Sequence, residues 1–399
     1  MFPKGILRLF LLISACPIVL AALLTCCATS PAIAQEDEYK LAYDSYKAGN
    51  LEKAEKEIEG AIKKAPDSHK YFFLKGLITT RLKRNKEAIA AFLKCKSLKP
   101  NDFVSMFNLG SLYDKEKDYS KSAEAFEEGL VYRPNDYQGN YKLAKVYMRL
   151  RKYKKAAEAL KKVAKKGESR FEYNYLYGLA LRQLKQYKKA IARLESAHKL
   201  NPGHTQALID LADAYQRDND YAKAASSIET VLAKQPGNVK ALQTLGNAKL
   251  GEGDYEAALA NAEKIIAQAP TDYEGYLIRA EAYKNLKQSK KAIADFKKVL
   301  EIDKGEQCAA ATHLAAILYA QRDYAEASEY YSQAYKCNRS WRPLLMIAHC
   351  HYRLAHYDDA LLTYQKVLRF NPSNEDAKQG AKSSQEHIDR KNKKKAKSQ

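Results

Sequence analysis

Seven of the eight prolines after residue 34 stand at positions 66, 100, 134, 202, 236, 270 and 372, and every interval between them is a multiple of 34. Unordered prolines do not share one register, so the chain is built on a 34-residue period. The vacant phases hold Glu168, Lys304 and Asn338, which keeps the register where proline is missing. Ten units fill residues 35–374. A unit of that length is one supersecondary piece, too small to bury its own apolar face, so it must stack on its neighbours.

Within a unit the apolar residues recur at i, i+3, i+4 and i+7, as in Met106, Leu109, Gly110 and Tyr113, or Leu208, Leu211, Ala212 and Tyr215. That is the period of a helix, not of a strand. A second run follows, marked by Tyr119, Tyr153, Tyr187, Tyr221 and Tyr255, with Ala156, Ala190, Ala224 and Ala258 three residues past four of them. Alanine there lets two helices approach closely. Turn-forming stretches such as Arg217-Asp218-Asn219-Asp220 separate the runs, and the recurring Pro stops the second. Each unit therefore reads as a helical hairpin. With 46% hydrophobic residues, the chain has the apolar content of an ordered protein.

The pattern resembles the tetratricopeptide repeat (TPR) family. Leu109-Gly110 with Tyr113, Tyr119, Phe126 and Pro134 carries the likeness, as do Leu211-Ala212 with Tyr215, Tyr221, Ala224 and Pro236. The resemblance implies an all-α chain, a right-handed α-solenoid of about ten TPR helical hairpins. Residues 375–389 suit a C-terminal capping helix, and the basic run from Arg390 to Lys395 reads as a solvated, disordered tail, with a binding arm as the alternative. Some positions depart from the pattern: Lys75 and Arg279 stand where Leu is usual, Asn85 and Ser289 replace the turn Tyr, and the ninth unit shifts by one residue near Leu314-Ala315.

Tyr39, Phe73, Phe107, Tyr141 and Tyr175 are again 34 apart, at the fifth position of the first five units; Ile209, Gln243, Leu277 and Thr312 follow in the later ones. In the TPR family this first-helix face lines the concave groove, so the resemblance implies an aromatic ladder inside the amino-terminal half. Two readings stand: a docking strip for a peptide or extended polymer, or rings packed against the next hairpin as core. The family's clamp for acidic carboxyl-terminal peptides is missing, since Gln243 precedes Asn247 where the clamp needs Lys.

The formal charge is +21, and residues 137–204 hold 18 Lys and Arg against 4 Glu, whereas residues 205–272 hold 6 basic and 10 acidic residues. Lys154, Lys155, Lys161, Lys162, Lys165, Lys166, Lys188 and Lys189 lie on or beside second helices, the outer wall in this family. Such a patch suits an anionic membrane or envelope polymer, or serves solubility alone. Nucleic acid suits the charge but not the expected compartment, so no nucleic-acid partner is expected.

No catalytic constellation appears: there is no Gly-rich phosphate loop, no H-E-x-x-H and no G-x-S-x-G. Neither an enzymatic activity, a cofactor nor a small-molecule substrate is expected. His349-Cys350-His351 with His356 invites a metal reading, but neighbours on a helix point about 100° apart, so these are assigned to surface and packing and no metal site is expected. Cys95 reads as a small core residue. Cys308 starts the first helix of the ninth unit and Cys337 ends its second, which makes the pair a candidate disulfide.

Lys4 and Arg8 precede a stretch, residues 9–35, without charge, and Ala32-Ile33-Ala34 supplies small residues ahead of Gln35. That order predicts a secretory signal over residues 1–34, with an uncleaved inner-membrane anchor as its rival because the apolar run is long enough to span a bilayer. A lipoprotein-like stretch, Ile13-Ser14-Ala15-Cys16, is followed by further apolar sequence and fits less well. The expectation is an extracytoplasmic, periplasmic scaffold or adaptor binding protein partners in its groove. The alternative is an accessory to the assembly or export of an envelope polymer, such as a polysaccharide, a pilus or secretion machinery.

Overall fold

The computed structural model describes residues 31–303 and 308–397, and the described residues form helices joined by short turns, without a strand. The expected leader falls mostly in residues 1–30, outside the described residues. Among the described residues no helix is long and apolar enough to cross a membrane. The chain divides into two compact units, up to Leu184 and from Lys185.

The first unit contains α1 (Pro31–Lys47), α2 (Leu51–Lys64), α3 (His69–Arg81), α4 (Asn85–Leu98), α5 (Phe103–Lys115), α6 (Tyr119–Tyr132), α7 (Tyr137–Arg149), α8 (Tyr153–Lys162), the single turn α9 (Ala164–Gly167) and α10 (Phe171–Gln183). The second contains α11 (Tyr187–Leu200), α12 (Thr205–Arg217), α13 (Tyr221–Lys234), α14 (Val239–Glu252), α15 (Tyr255–Gln268), α16 (Tyr273–Asn285), α17 (Ser289–Ile302), α18 (Cys308–Ala320), α19 (Tyr324–Cys337), α20 (Trp341–Arg353), α21 (Tyr357–Phe370) and α22 (Glu375–Lys397). Within each unit every helix packs on the next in chain order, the single turn α9 aside, across which α8 meets α10. Successive first helices also meet, α5 with α7 and α12 with α14, more closely than successive second helices do. The first-helix layer is thus the inner one in each unit.

Local chemistry fixes the turns. The turn inside each of the ten hairpins carries one residue at positive φ, and eight of these are not glycine, among them Lys117 (62°), Arg151 (56°) and Asn219 (65°). The next residue's N–H returns to a carbonyl five positions back, as from Asp118 to Tyr113 and from Asp220 to Tyr215, both 2.9 Å. These bonds satisfy carbonyls that the helix end leaves open and offset the strain of the left-handed residue. Asp118, Asp220, Asp254 and Asp323 then cap the second helix by accepting a backbone N–H three residues on. The ninth turn falls at Arg322, one residue late against the 34-residue register.

Ala156, Ala190, Ala224 and Ala258 are fully buried, as close helix contact requires. The two departures from the leucine position are paired: Arg279 holds Asp295 through two 2.8 Å bonds, and Lys75 reaches Glu59 at 2.9 Å. The fourth second helix breaks at Val163, between α8 and α9. Tyr173, fully buried, donates its hydroxyl to the Leu160 carbonyl at 3.2 Å. Its ring lies so near the backbone that a Cβ at Gly167 would sit 2.3 Å away. The ring thus packs directly on the short helix that follows the break.

The basic carboxyl-terminal run is a correction to the sequence reading, because α22 continues through it to Lys397. The helix packs on α21 and α20, and Ala377 and Ser384 are fully buried. Arg390 pairs with Glu386 at 3.9 Å, one turn back. Cations near a helix C-terminus also complement its dipole, so the run extends the helix.

Candidate functional site

The five ladder residues lie on first helices of the first unit, and all five are half-buried. Tyr39 stacks on Tyr43 at 5.9 Å and on Tyr71 at 6.2 Å. Phe73 meets the buried Phe92 edge-on at 5.7 Å. Phe107 lies 6.1 Å from Phe126, and a Cβ at Gly129 or Gly139 would come within 2.5 and 2.6 Å of its ring. Two glycines thus form the seat of Phe107 between the third and fourth hairpins. Tyr141 stacks on Tyr137 at 6.0 Å and Tyr175 on Phe171 at 5.5 Å. Burial pushes the Tyr39 and Tyr141 hydroxyls above the usual phenol range, so both stay neutral hydrogen-bonding groups.

A second row escaped the sequence reading. Phe103, Tyr137 and Phe171 sit four residues before the ladder rings, one turn away on the same face, and are themselves 34 apart. Arg133 lies 4.8 Å from the Phe103 ring, and Arg170 4.8 Å from that of Tyr137. The third to fifth hairpins therefore carry pairs of rings, with cations over the outer members of the third and fourth. The spacing of this row was available in the sequence.

All eight lysines of the predicted patch are exposed. Lys154, Lys155, Lys161, Lys162, Lys165 and Lys166 belong to α8 and α9 in the first unit; Lys188 and Lys189 belong to α11 in the second. Beside the first group lies a cleft of about 430 Å³ lined by residues including Leu130, Val131, Asn140, Leu143, Lys155 and Lys162. Val131 is 73% exposed, and the buried Asn140 Oδ1 has no hydrogen-bond partner.

Two tetratricopeptide repeat families match the sequence, one over residues 141–205, 244–306 and 312–375, the other over residues 181–248. A third, described as the Psidin N-terminal TPR repeats region, matches residues 38–159. The chain belongs to the TPR family. No curated protein is detectably similar to it in sequence. Among solved structures it is similar to YrrB, a TPR protein with an unusual peptide-binding site (19% identity, TM-score 0.44, over 46% of this chain and 95% of YrrB). It is also similar to MamA (25% identity, TM-score 0.40, over 42% of this chain and 92% of MamA). A third similar structure is pilF of Pseudomonas aeruginosa (20% identity, TM-score 0.45, over 52% of this chain and 95% of pilF).

In this TPR protein Cys308 and Cys337 form a disulfide, with Cα atoms 5.7 Å apart, which ties the two open ends of the ninth hairpin. Cys95 and Cys350 are free and buried, and burial pushes their thiols up to about 11 and about 12. Neither is a ready nucleophile. His349 packs on the Tyr364 ring at 5.7 Å. His351 and His356, in contrast, approach each other across the tenth turn and are joined there by Asp359.

Proposed function

We propose that this chain is a non-enzymatic scaffold in the bacterial cell envelope, and that an extended segment of a protein partner docks along the first-helix face of the first unit. TPR folds generally bind protein partners, and their repeats are generally non-catalytic scaffolds. The observation that carries this reading is the register of half-buried rings, Tyr39 to Tyr175, doubled by Phe103, Tyr137 and Phe171. A ring held on one side by the core and open on the other is already ordered, so binding to it costs little entropy. Phe107 is the member most committed to packing, because two glycines are shaped around it.

A photocrosslinking residue in place of Tyr141 should trap a discrete partner in intact envelopes, and one in place of Lys234 on α13 should not. Tyr141→Ala with Tyr175→Ala should then weaken that complex while the thermal midpoint moves little. Equal adducts from both positions, or binding unaffected by the double variant, would remove the docking assignment.

The exposed lysines of α8 and α9 favour a second reading, attachment to an anionic envelope polymer or membrane surface during polymer assembly or export. Cosedimentation with anionic vesicles should then fall steeply with salt; retention unchanged at high salt argues against it. The envelope assignment rests on the charge-free stretch and Ala32-Ile33-Ala34. Residues 1–40 fused to a reporter active only outside the cytoplasm would report export directly.

A further inference from the structure

We propose that the turn of the tenth hairpin is a binding site for a divalent transition-metal ion of the Zn²⁺ type, ligated by His351, His356 and Asp359. One ligand atom from each residue lies within 4.8 Å of the others. The backbone explains the convergence. Ala355 takes the left-handed conformation (φ 59°), and the His356 N–H closes the turn on the His351 carbonyl at 2.9 Å. This carries the two imidazoles, five residues apart, to the same end of the hairpin, with ring centroids 6.3 Å apart. His356 is the N-cap residue of α21, yet its side chain makes no capping bond. Asp359 follows three residues on, on the same face of the first turn.

Two further observations point to a ligand. The His351 Nδ1 is buried with no hydrogen-bond partner, a state that leaves its desolvation uncompensated. The same three turn positions in the third and sixth hairpins show one way in which the triangle is filled. They carry Tyr113, Asp118 and Lys121, and Tyr215, Asp220 and Lys223. There the Lys ammonium pairs with the Asp at 3.1 and 2.9 Å and lies 5.7 and 5.5 Å from the Tyr ring. The tenth turn replaces that lysine with an acid and its neighbours with imidazoles. It has lost the built-in cation and gained three ligands for one from solution.

Two imidazoles and one carboxylate suit Zn²⁺, with a fourth position open to solvent. His356 and Asp359 are exposed, so an ion has access and both side chains are free to draw in to bonds of about 2.0–2.2 Å. His349 and Cys350, neighbours on one helix, point apart, whereas His351 and His356 meet across the turn.

The test uses untagged, chelator-treated protein titrated with Zn²⁺ by calorimetry and with Co²⁺ by visible absorption. One saturable equivalent is expected. Asp359→Asn should weaken it at least about tenfold, and Asp358→Asn should leave it unchanged. The combined variant His351→Tyr, His356→Asp, Asp359→Lys installs the triad of the third and sixth turns and should stay folded by circular dichroism while losing the equivalent. Absence of a saturable equivalent in the parent protein, or its survival in the folded combined variant, overturns the proposal.

Discussion

The first unit fills the fifth position of its first helices with rings, Phe73 against Phe92 and Phe107 against Phe126, whereas the second places Ile209, Gln243 and Leu277 there. At or near that position the second unit uses other ties: Gln243 donates to Asp272 at 2.6 Å, and Arg279, two residues past Leu277, holds Asp295 in a bidentate pair; the Cys308–Cys337 disulfide closes its ninth hairpin. One first-helix position is thus filled in two ways. Shape complementarity between rings and small residues needs no partner chemistry at the exposed ring face, which leaves that face available. At that position a paired polar group such as Gln243 is satisfied internally and leaves little to offer a ligand.

The contrast can be broken first at the disulfide. Reduction, or Cys308→Ser, reopens a span of 29 residues and should cost the ninth hairpin about 3–4 kcal/mol. Hydrogen exchange should quicken in α18 and α19 while α3 to α6 stay unchanged. Next in size, Arg279→Leu strands the Asp295 carboxylate, whose side chain is only 9% exposed, and should cost about 3 kcal/mol in denaturant unfolding of the second unit. Adding Asp295→Leu should recover most of it.

In the first unit, Phe107→Ala should cost about 2 kcal/mol, less than a fully buried Phe because the ring is half-exposed. Tyr141→Ala should cost clearly less, and equal losses would erase the distinction between seated and available rings. The smallest effect is a gain. Lys152 precedes α8 and makes no capping bond, where Asp118 and Asp220 cap α6 and α13. Lys152→Asp should raise the thermal midpoint, by about 1 kcal/mol of stability.

Much of the fold was legible because a repeat states each instruction many times. The prolines, the Tyr of the second helix and the buried Ala recur in one register, so a single departure such as Glu168 does not hide it. The site was legible in part: the ladder rings follow from spacing, and so does the row from Phe103 to Phe171, although it went unread. Other features were invisible. The packing at the break after α8, Tyr173 of the next hairpin against Gly167 and the Leu160 carbonyl, is not written in the local sequence of α8. The partners of Lys75 and Arg279 stand 16 residues away across a helix contact.

The sequence by itself determined the period, the helical hairpin and the face on which each ring stands, since these depend on spacing along one helix. Only the tertiary structure decided that Phe107 is seated on two glycines, that Arg279 has a carboxylate to meet, and that His351, His356 and Asp359 converge. The reason is physical: helix periodicity is a local property of the chain. Contacts across turns and between hairpins depend on left-handed turn residues and on neighbours that packing alone brings together.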